Sequence, residues 1–382
     1  MKKMMAQLKW KHFANYIVIS LLLIYFASMS LTGSLRSSSQ YLLEKIAYSM
    51  ILAVSLSILV GFLGELSLGH AGFMCVGAYL GGKTASVLVP LLGNSLPTLI
   101  IAMIVGGVAA AVCGVIVGLP ALRLKGDYLA IVTLAFGEIV RSLFMNSSES
   151  SFGGSMGLPT PRYDRDHLFI IAFVLVLLTL AVIQNLLRSR HGRAITAIRD
   201  SEIAARATGI NVTQYKLMVF AMSAFFAGIA GVLYSYANQT VQSTKFSFNY
   251  SIEILVMVVL GGMGSINGSL IAAALITYLN VELTKVLTGD LAVLQNLVFA
   301  VILIIIVIYG NAPRLTSLRE KLDITPLLRK ITHSDPSYRR DDAKSWHRVP
   351  TKIKMDELLS VDTNPESHRA VRLDGDKPGK GE

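Results

Sequence analysis

Charged side chains are scarce in this chain. Asp, Glu, Lys and Arg make up 15% of its 382 residues, against 53% hydrophobic, and the mean hydropathy is +0.57. A soluble domain carries about 25% charged residues, so the scarcity excludes a soluble globular protein and leaves a polytopic membrane protein. Cysteine is scarcer still. Cys75 and Cys113, the only two, lie in separate apolar segments without metal-ligand spacing. That excludes a zinc site and argues against a disulfide, leaving two small core residues. Histidine is present but dispersed, at His12, His70, His167, His191, His333, His347 and His368. A membrane-embedded enzyme would need His or carboxylate groups clustered at the membrane edge, and the sequence offers no such cluster. A cleavable leader is not expected either. The apolar run at 13–31 outlasts the ~7–15 residues of a secretory core, and no A-x-A site follows it. The expectation is a retained first span with a cytoplasmic N-terminus.

What is present is a series of long apolar runs. Stretches near ~20 residues fall at 14–32, 46–64, 67–89, 96–119, 128–145, 167–187, 216–237, 248–262, 265–287 and 291–309. The fold class is therefore an all-α polytopic membrane protein with about ten transmembrane helices. The third is glycine-rich and the eighth is short, so each is either a full span or a re-entrant segment. Charge agrees with this parity. The net charge is +11, gathered in blocks rather than along a groove. Nucleic acid is thus a poor partner, and the positive-inside rule is a good account. The N-terminus carries Lys2, Lys3, Lys9 and Lys11, and the 188–213 segment is rich in Arg. Ten spans put both blocks, and both termini, in the cytoplasm. From 313 to 382 the chain turns polar, with interleaved charges, Pro and Gly. The expectation is a membrane domain at 1–312 and a cytoplasmic tail, largely disordered.

Five short stretches carry the chemistry. GAYLGGKT at 77–84 matches the phosphate-loop pattern letter for letter. That pattern needs a preceding strand and a helix start, so that N–H groups converge on phosphate. Here the glycines sit within an apolar segment, and nucleotide binding is not expected. LSLGHAGFMCVGAY at 66–79 has Gly69, His70 and Gly72 next to Glu65. The glycines either break a helix beside a substrate path or let two helices approach closely. GGMGSINGS at 261–269 is a tight turn through Gly261 and Gly264, either a static hairpin or a gate. LRLKGDYLAIVTLAFGEIVR at 122–141 brings Glu138 and Arg141 into an apolar helix. Ionisable groups there face a path or each other, so they are either path residues or a structural pair. RSRHGRAITAIRDSEIAARATGINV at 188–212 is too polar to cross a membrane. Ile195, Ile198 and Ala205 share one helical face, and Arg199, Glu202 and Arg206 another. Asp200 and Ser201 are capping types, and Gly209 is a natural stop. Such a helix lies on anionic lipid, docks into a partner's groove or is a plain surface helix.

In this order, the stretches resemble the permease subunit of branched-chain amino acid ABC importers, over roughly 46–311. The 122–141 stretch is the sharpest part, followed by GRAITAIRDSEIAARATGI, LSLGHAGF and GGMGS. FGGSMGLPTP at 152–161 resembles the family's GG-x-x-G-L loop. The resemblance implies a transmembrane permease that forms the path, needs no cofactor and catalyses nothing itself. It implies two ATP-binding subunits, a sister permease and an extracytoplasmic substrate-binding protein in a bacterial inner membrane. It also implies a coupling helix within 188–209, carried by Arg193, Arg199, Asp200, Ser201, Glu202, Arg206 and Gly209. Candidates for the path are Glu65, Gly69, His70, Gly72, Glu138, Arg141, Gly261 and Gly264. Two features depart from the family: Ser269 and Ala272 stand where Pro and Gly are common, and the tail is long. Urea or short amides are an alternative cargo. A self-sufficient secondary transporter using Glu138, Arg141, Glu65 or His70 for protons is an alternative class.

Overall fold

The computed structural model describes residues 36–286 apart from 123, 125 and 164, with isolated positions between 16 and 29 and between 300 and 304. The chain divides into two units, Met1–Asn311 and Ala312–Glu382. The expected tail, and much of the first and tenth expected spans, lie outside the described residues.

The described α-helices of six residues or more are, in order, α1 (Ser37–Ser57), α2 (His70–Leu92), α3 (Leu96–Ala121), α4 (Asp127–Met145), α5 (Arg165–Arg188), α6 (Arg190–Asp200), α7 (Glu202–Ala207), α8 (Val212–Asn238), α9 (Phe248–Leu260) and α10 (Ile266–Val286). Seven of the described helices are long and apolar enough to cross a membrane: α1 to α5, α8 and α10. The two polar helices α6 and α7 separate α5 from α8. At 13 residues α9 is as short as the sequence suggests. The expected third span is an unbroken 23-residue helix, so its glycines do not make it re-entrant.

The first described span begins at Ser37, nine residues before its apolar run does. The reason is burial. Its apolar window is 89% buried inside the protein, against 28% for α4. A helix surrounded by protein rather than lipid can carry Gln40 and Glu44, which are 6% and 3% exposed. Beyond Ser57 the helix continues as a π turn, Ile58–Leu63, ending where Gly64 takes φ +80°. The N–H groups of Gly64 and Glu65 both donate to the Leu59 carbonyl oxygen.

The centre of the bundle is the packing of α8 against α2 and α3. Lipid tails give helices no hydrophobic reason to associate, so close backbone contact does the work, and small residues permit it. Gly77 of α2 meets Gly228 of α8 so closely that a Cβ on Gly77 would stand 2.2 Å from the Gly228 carbonyl oxygen. Gly106 of α3 abuts Gly77 at the same level. On its other side α3 presents Ile100, Ile104, Val108, Val112 and Ile116, spaced by four and all exposed. One helix thus turns small residues to protein and branched ones outward, to lipid.

Away from α6 and α7, a two-stranded antiparallel pair ties two connections together. Leu158 of β1 (Leu158–Pro159) pairs with Val241 of β2 (Thr240–Val241). Thr160 adds a hydroxyl bond of 2.7 Å to the Ser235 carbonyl oxygen, pinning this loop to the end of α8.

Candidate functional site

The expected cytoplasmic helix is two helices. Ser201 is extended, with φ −160° and ψ 109°, and breaks the run between α6 and α7. Its hydroxyl accepts the Ala204 N–H at 3.3 Å, so the residue expected to cap does so, but in the middle of the segment. Gly209, at φ +86°, ends α7 as expected, and the Ile210 N–H reaches back to the Ala205 carbonyl oxygen at 3.1 Å. Ile195, Ile198 and Ala205 are all buried, so the apolar face survives the break.

The charged residues of this segment divide into two sets. Arg199 and Glu202 turn towards the bundle. Arg199 Nη1 donates to the Gly61 carbonyl oxygen of the π turn at 3.1 Å, and its Nη2 to Asp200 Oδ1 at 3.1 Å. Lys216 of α8 donates to Glu65 Oε1 at 2.5 Å and to Glu202 Oε2 at 3.3 Å. Its side chain is 6% exposed and that of Glu65 12%, so the ammonium is nearly sealed between carboxylates from two other segments. Arg193, Ser201 and Arg206 stay exposed, with Arg206 bonded to Glu202 of its own helix at 2.6 Å. Ile203, 82% exposed, stands out from α7 beside them.

The tight turn at 261–265 completes this junction. Gly262 and Gly264 take φ +91° and +85°. A Cβ on Gly61 would stand 2.5 Å from the Gly264 nitrogen, and one on Gly264 would stand 3.8 Å from Arg199 Nη1. Glu65, Gly61, Gly264, Arg199, Glu202 and Lys216 therefore meet at one end of the bundle. Of these, Gly61 was not among the candidates, and neither was Lys216. It stands where an apolar run begins, and nothing local distinguishes it from an interfacial lysine.

The remaining path candidates form a second cluster. A Cβ on Gly72 of α2 would stand 2.7 Å from the Gly137 Cα of α4, and one on Gly69 would stand 2.6 Å from the Thr133 carbonyl oxygen. These glycines serve close approach. His70 is buried, with Nε2 2.8 Å from Ser55 Oγ of α1. Next to Gly137 on α4, Arg141 Nε donates to Glu138 Oε2 at 2.7 Å, so the two form an ion pair along one helix. Glu138 Oε1 also accepts the Phe248 N–H at 3.0 Å, so a carboxylate of α4 holds the first residue of α9. The phosphate-loop string runs straight through α2, with no turn to gather N–H groups. Among the described residues, Lys83 Nζ reaches the Ser150 carbonyl oxygen at 3.4 Å. Among the described residues, no group of His, Cys, Asp and Glu is placed to hold a metal.

A family model described as the permease component of the branched-chain amino acid transport system matches residues 39–307. The chain is 38% identical over 258 residues to the high-affinity branched-chain amino acid transport system permease protein LivM of Salmonella typhimurium, covering 59% of this chain and 59% of that protein. LivM of Escherichia coli K12 matches to the same extent. The chain thus spans 59% of the length of these two relatives. The ribose import permease protein RbsC of Escherichia coli K12 is 28% identical over 295 residues, covering 71% of this chain and 84% of that protein. No solved structure matches the chain.

Proposed function

The chain belongs to the branched-chain amino acid transport permease family, and from that premise we propose that it is a membrane permease subunit of an ATP-driven importer, with branched-chain amino acids as cargo. The path is shared with a sister permease. Two separate subunits hydrolyse ATP, and an extracytoplasmic protein delivers the cargo. The chain sits in a bacterial inner membrane with both termini cytoplasmic. The cargo follows from the likeness to the two LivM proteins. The ribose permease likeness argues that the framework alone does not set it.

One observation supports the reading above the others. The segment α6–α7 hangs outside the bundle, presents Ile203 and Arg206 outward, and is bonded inward through Arg199 and Glu202. A docking knob for an ATPase needs both properties. When the ATPases close, α7 moves with them. Arg199 passes the displacement to the π turn of α1, and Lys216 passes it to α8. Two spans then shift together, and the path opens to the other side. Glu65, Gly261 and Gly264 act in this relay. Gly69, His70, Gly72, Glu138 and Arg141 set the packing of α2, α4 and α9 along the path.

The test is reconstitution of the permease pair with its ATPases and binding protein in proteoliposomes. ATP-dependent uptake of radiolabelled L-leucine is expected, together with a disulfide cross-link from Ser201→Cys to a cysteine in the ATPase cleft. Uptake of urea in place of leucine would correct the cargo. Uptake by this chain without ATPases would overturn the class.

A further inference from the structure

At the end of the bundle away from α6 and α7, a cavity of about 810 Å³ opens between α1, α8, α9 and α10. Its position follows from the helix directions. It is lined from the first turns of α1 and the last turns of α8, whereas the coupling junction sits at the last turn of α1 and the first turn of α8. Small-molecule sites occupy roughly 300–1,000 Å³, so the size suits a small solute.

The lining is unusual for a membrane domain. Lys45 of α1 and Glu253 of α9 both face the cavity, yet among the described residues they form no ion pair with each other. Asn280 of α10 donates to Glu253 Oε1 at 2.8 Å, which fixes that carboxylate. Two opposite charges on different helices, kept apart over a polar space within a membrane, are costly unless something bridges them. Part of the remaining wall is aromatic, beside Thr244, Ser247 and Asn249. Tyr48 and Tyr234 meet edge to face at 5.8 Å, and Tyr234 meets Phe246 at 5.1 Å. Tyr41 donates to Asn238 Oδ1 at 3.0 Å, so this hydroxyl is held in place. The cavity offers the cations Lys45 and Lys245, one anion in Glu253, and a group of aromatic rings.

We propose that this cavity is a substrate site within the permease, taking a zwitterionic α-amino acid with its carboxylate towards Lys45, its ammonium towards Glu253 and its side chain against the Tyr48, Tyr234 and Phe246 rings. The proposal rests on the amino-acid reading above and deepens it. Tyrosine faces also attract an ammonium group, which adds to the pull of Glu253. The site receives cargo released at the membrane surface and holds it until the junction at the far end moves.

The test uses the assembled complex in lipid nanodiscs, without the binding protein and without nucleotide. Binding of tritiated L-leucine is measured, with leucinamide (no carboxylate) and isocaproate (no ammonium) as competitors. Charge-assisted hydrogen bonds are strong enough that each lost charge should weaken its own partner about tenfold or more. Lys45→Gln should weaken leucine and isocaproate and leave leucinamide unchanged. Glu253→Gln should weaken leucine and leucinamide and leave isocaproate unchanged. Equal loss of all three probes in both variants would mean that the residues only support the fold, and would overturn the proposal. So would unchanged binding in both variants, or no leucine binding by the wild-type complex. ATP-driven leucine uptake by the same wild-type complex reports on the amino-acid permease reading separately. Uptake that persists while the probe pattern fails removes the cavity alone.

Discussion

Lys216 is the side chain on which the junction turns. It is almost sealed from solvent and has carboxylates from two segments within 3.3 Å. Removing one partner of a buried pair strands the other, at about 3–5 kcal/mol, far more than the pair itself contributes. Lys216→Met should therefore destabilise the chain by about that much in thermal unfolding of the detergent-solubilised complex. Lys216→Met together with Glu65→Gln should recover most of the loss, because the buried Glu65 charge is then gone and Glu202 keeps its pairing with Arg206. Glu138 behaves differently. It is about a third exposed, and its pairing with Arg141 at i, i+3 contributes only about 0.2–0.5 kcal/mol. The bond to the Phe248 N–H resembles a helix cap, which contributes about 1 kcal/mol. Glu138→Gln keeps an oxygen for that bond and Glu138→Leu does not. Leu should cost more than Gln by about that 1 kcal/mol in the same unfolding assay. Equal losses would remove the capping role.

Helix by helix, the glycines of α2 separate packing from nucleotide chemistry. Gly77→Ala forces a methyl into the Gly228 backbone and should cost about 1–3 kcal/mol, seen as a lowered unfolding temperature of the complex. Lys83→Ala and Thr84→Ala should leave ATP hydrolysis by the complex intact. A phosphate loop would give the reverse pattern, since there the Lys carries the phosphate contact. On α7, Ile203→Asp puts a charge at the most outward position. It should abolish coupled uptake while the permease still reaches the membrane at normal levels, as judged by immunoblot of membrane fractions. Most of the spans were legible because lipid demands long apolar runs, and 96–119 and 128–145 match α3 and α4 within two residues at each end. What was not legible is what lipid does not control. The first turns of α1 carry Gln40, Glu44 and Lys45 because protein surrounds them, so hydropathy places the helix start too late. The break at Ser201 lies within a run whose apolar spacing continues on both sides. Lys45, Glu253 and Asn280 share a cavity only because three helices converge, which no local pattern records.

For the molecule as a whole, the energy source separates the two transport classes. Uptake by the reconstituted complex should stop when ATP is withdrawn and persist when a protonophore collapses the proton gradient. The opposite result would return the function to a secondary transporter. The helix α8 joins the junction beside α6 and α7 to the cavity proposed as a substrate site. It carries Lys216 near its start and Tyr234 near its finish, and it is gripped between them where Gly228 and Gly231 touch α2. Such a rod behaves as a lever with its fulcrum off centre. At 1.5 Å per residue, Lys216 lies about 18 Å from Gly228 and Tyr234 about 9 Å. A tilt of about 5° then carries Lys216 through about 1.6 Å and Tyr234 through about 0.8 Å in the opposite sense. The long arm lies on the side of α6 and α7 and the short arm at the tyrosine-lined cavity. The mechanical advantage is near two, trading distance for force, as the proposed release of a small solute from the cavity's charged walls would require.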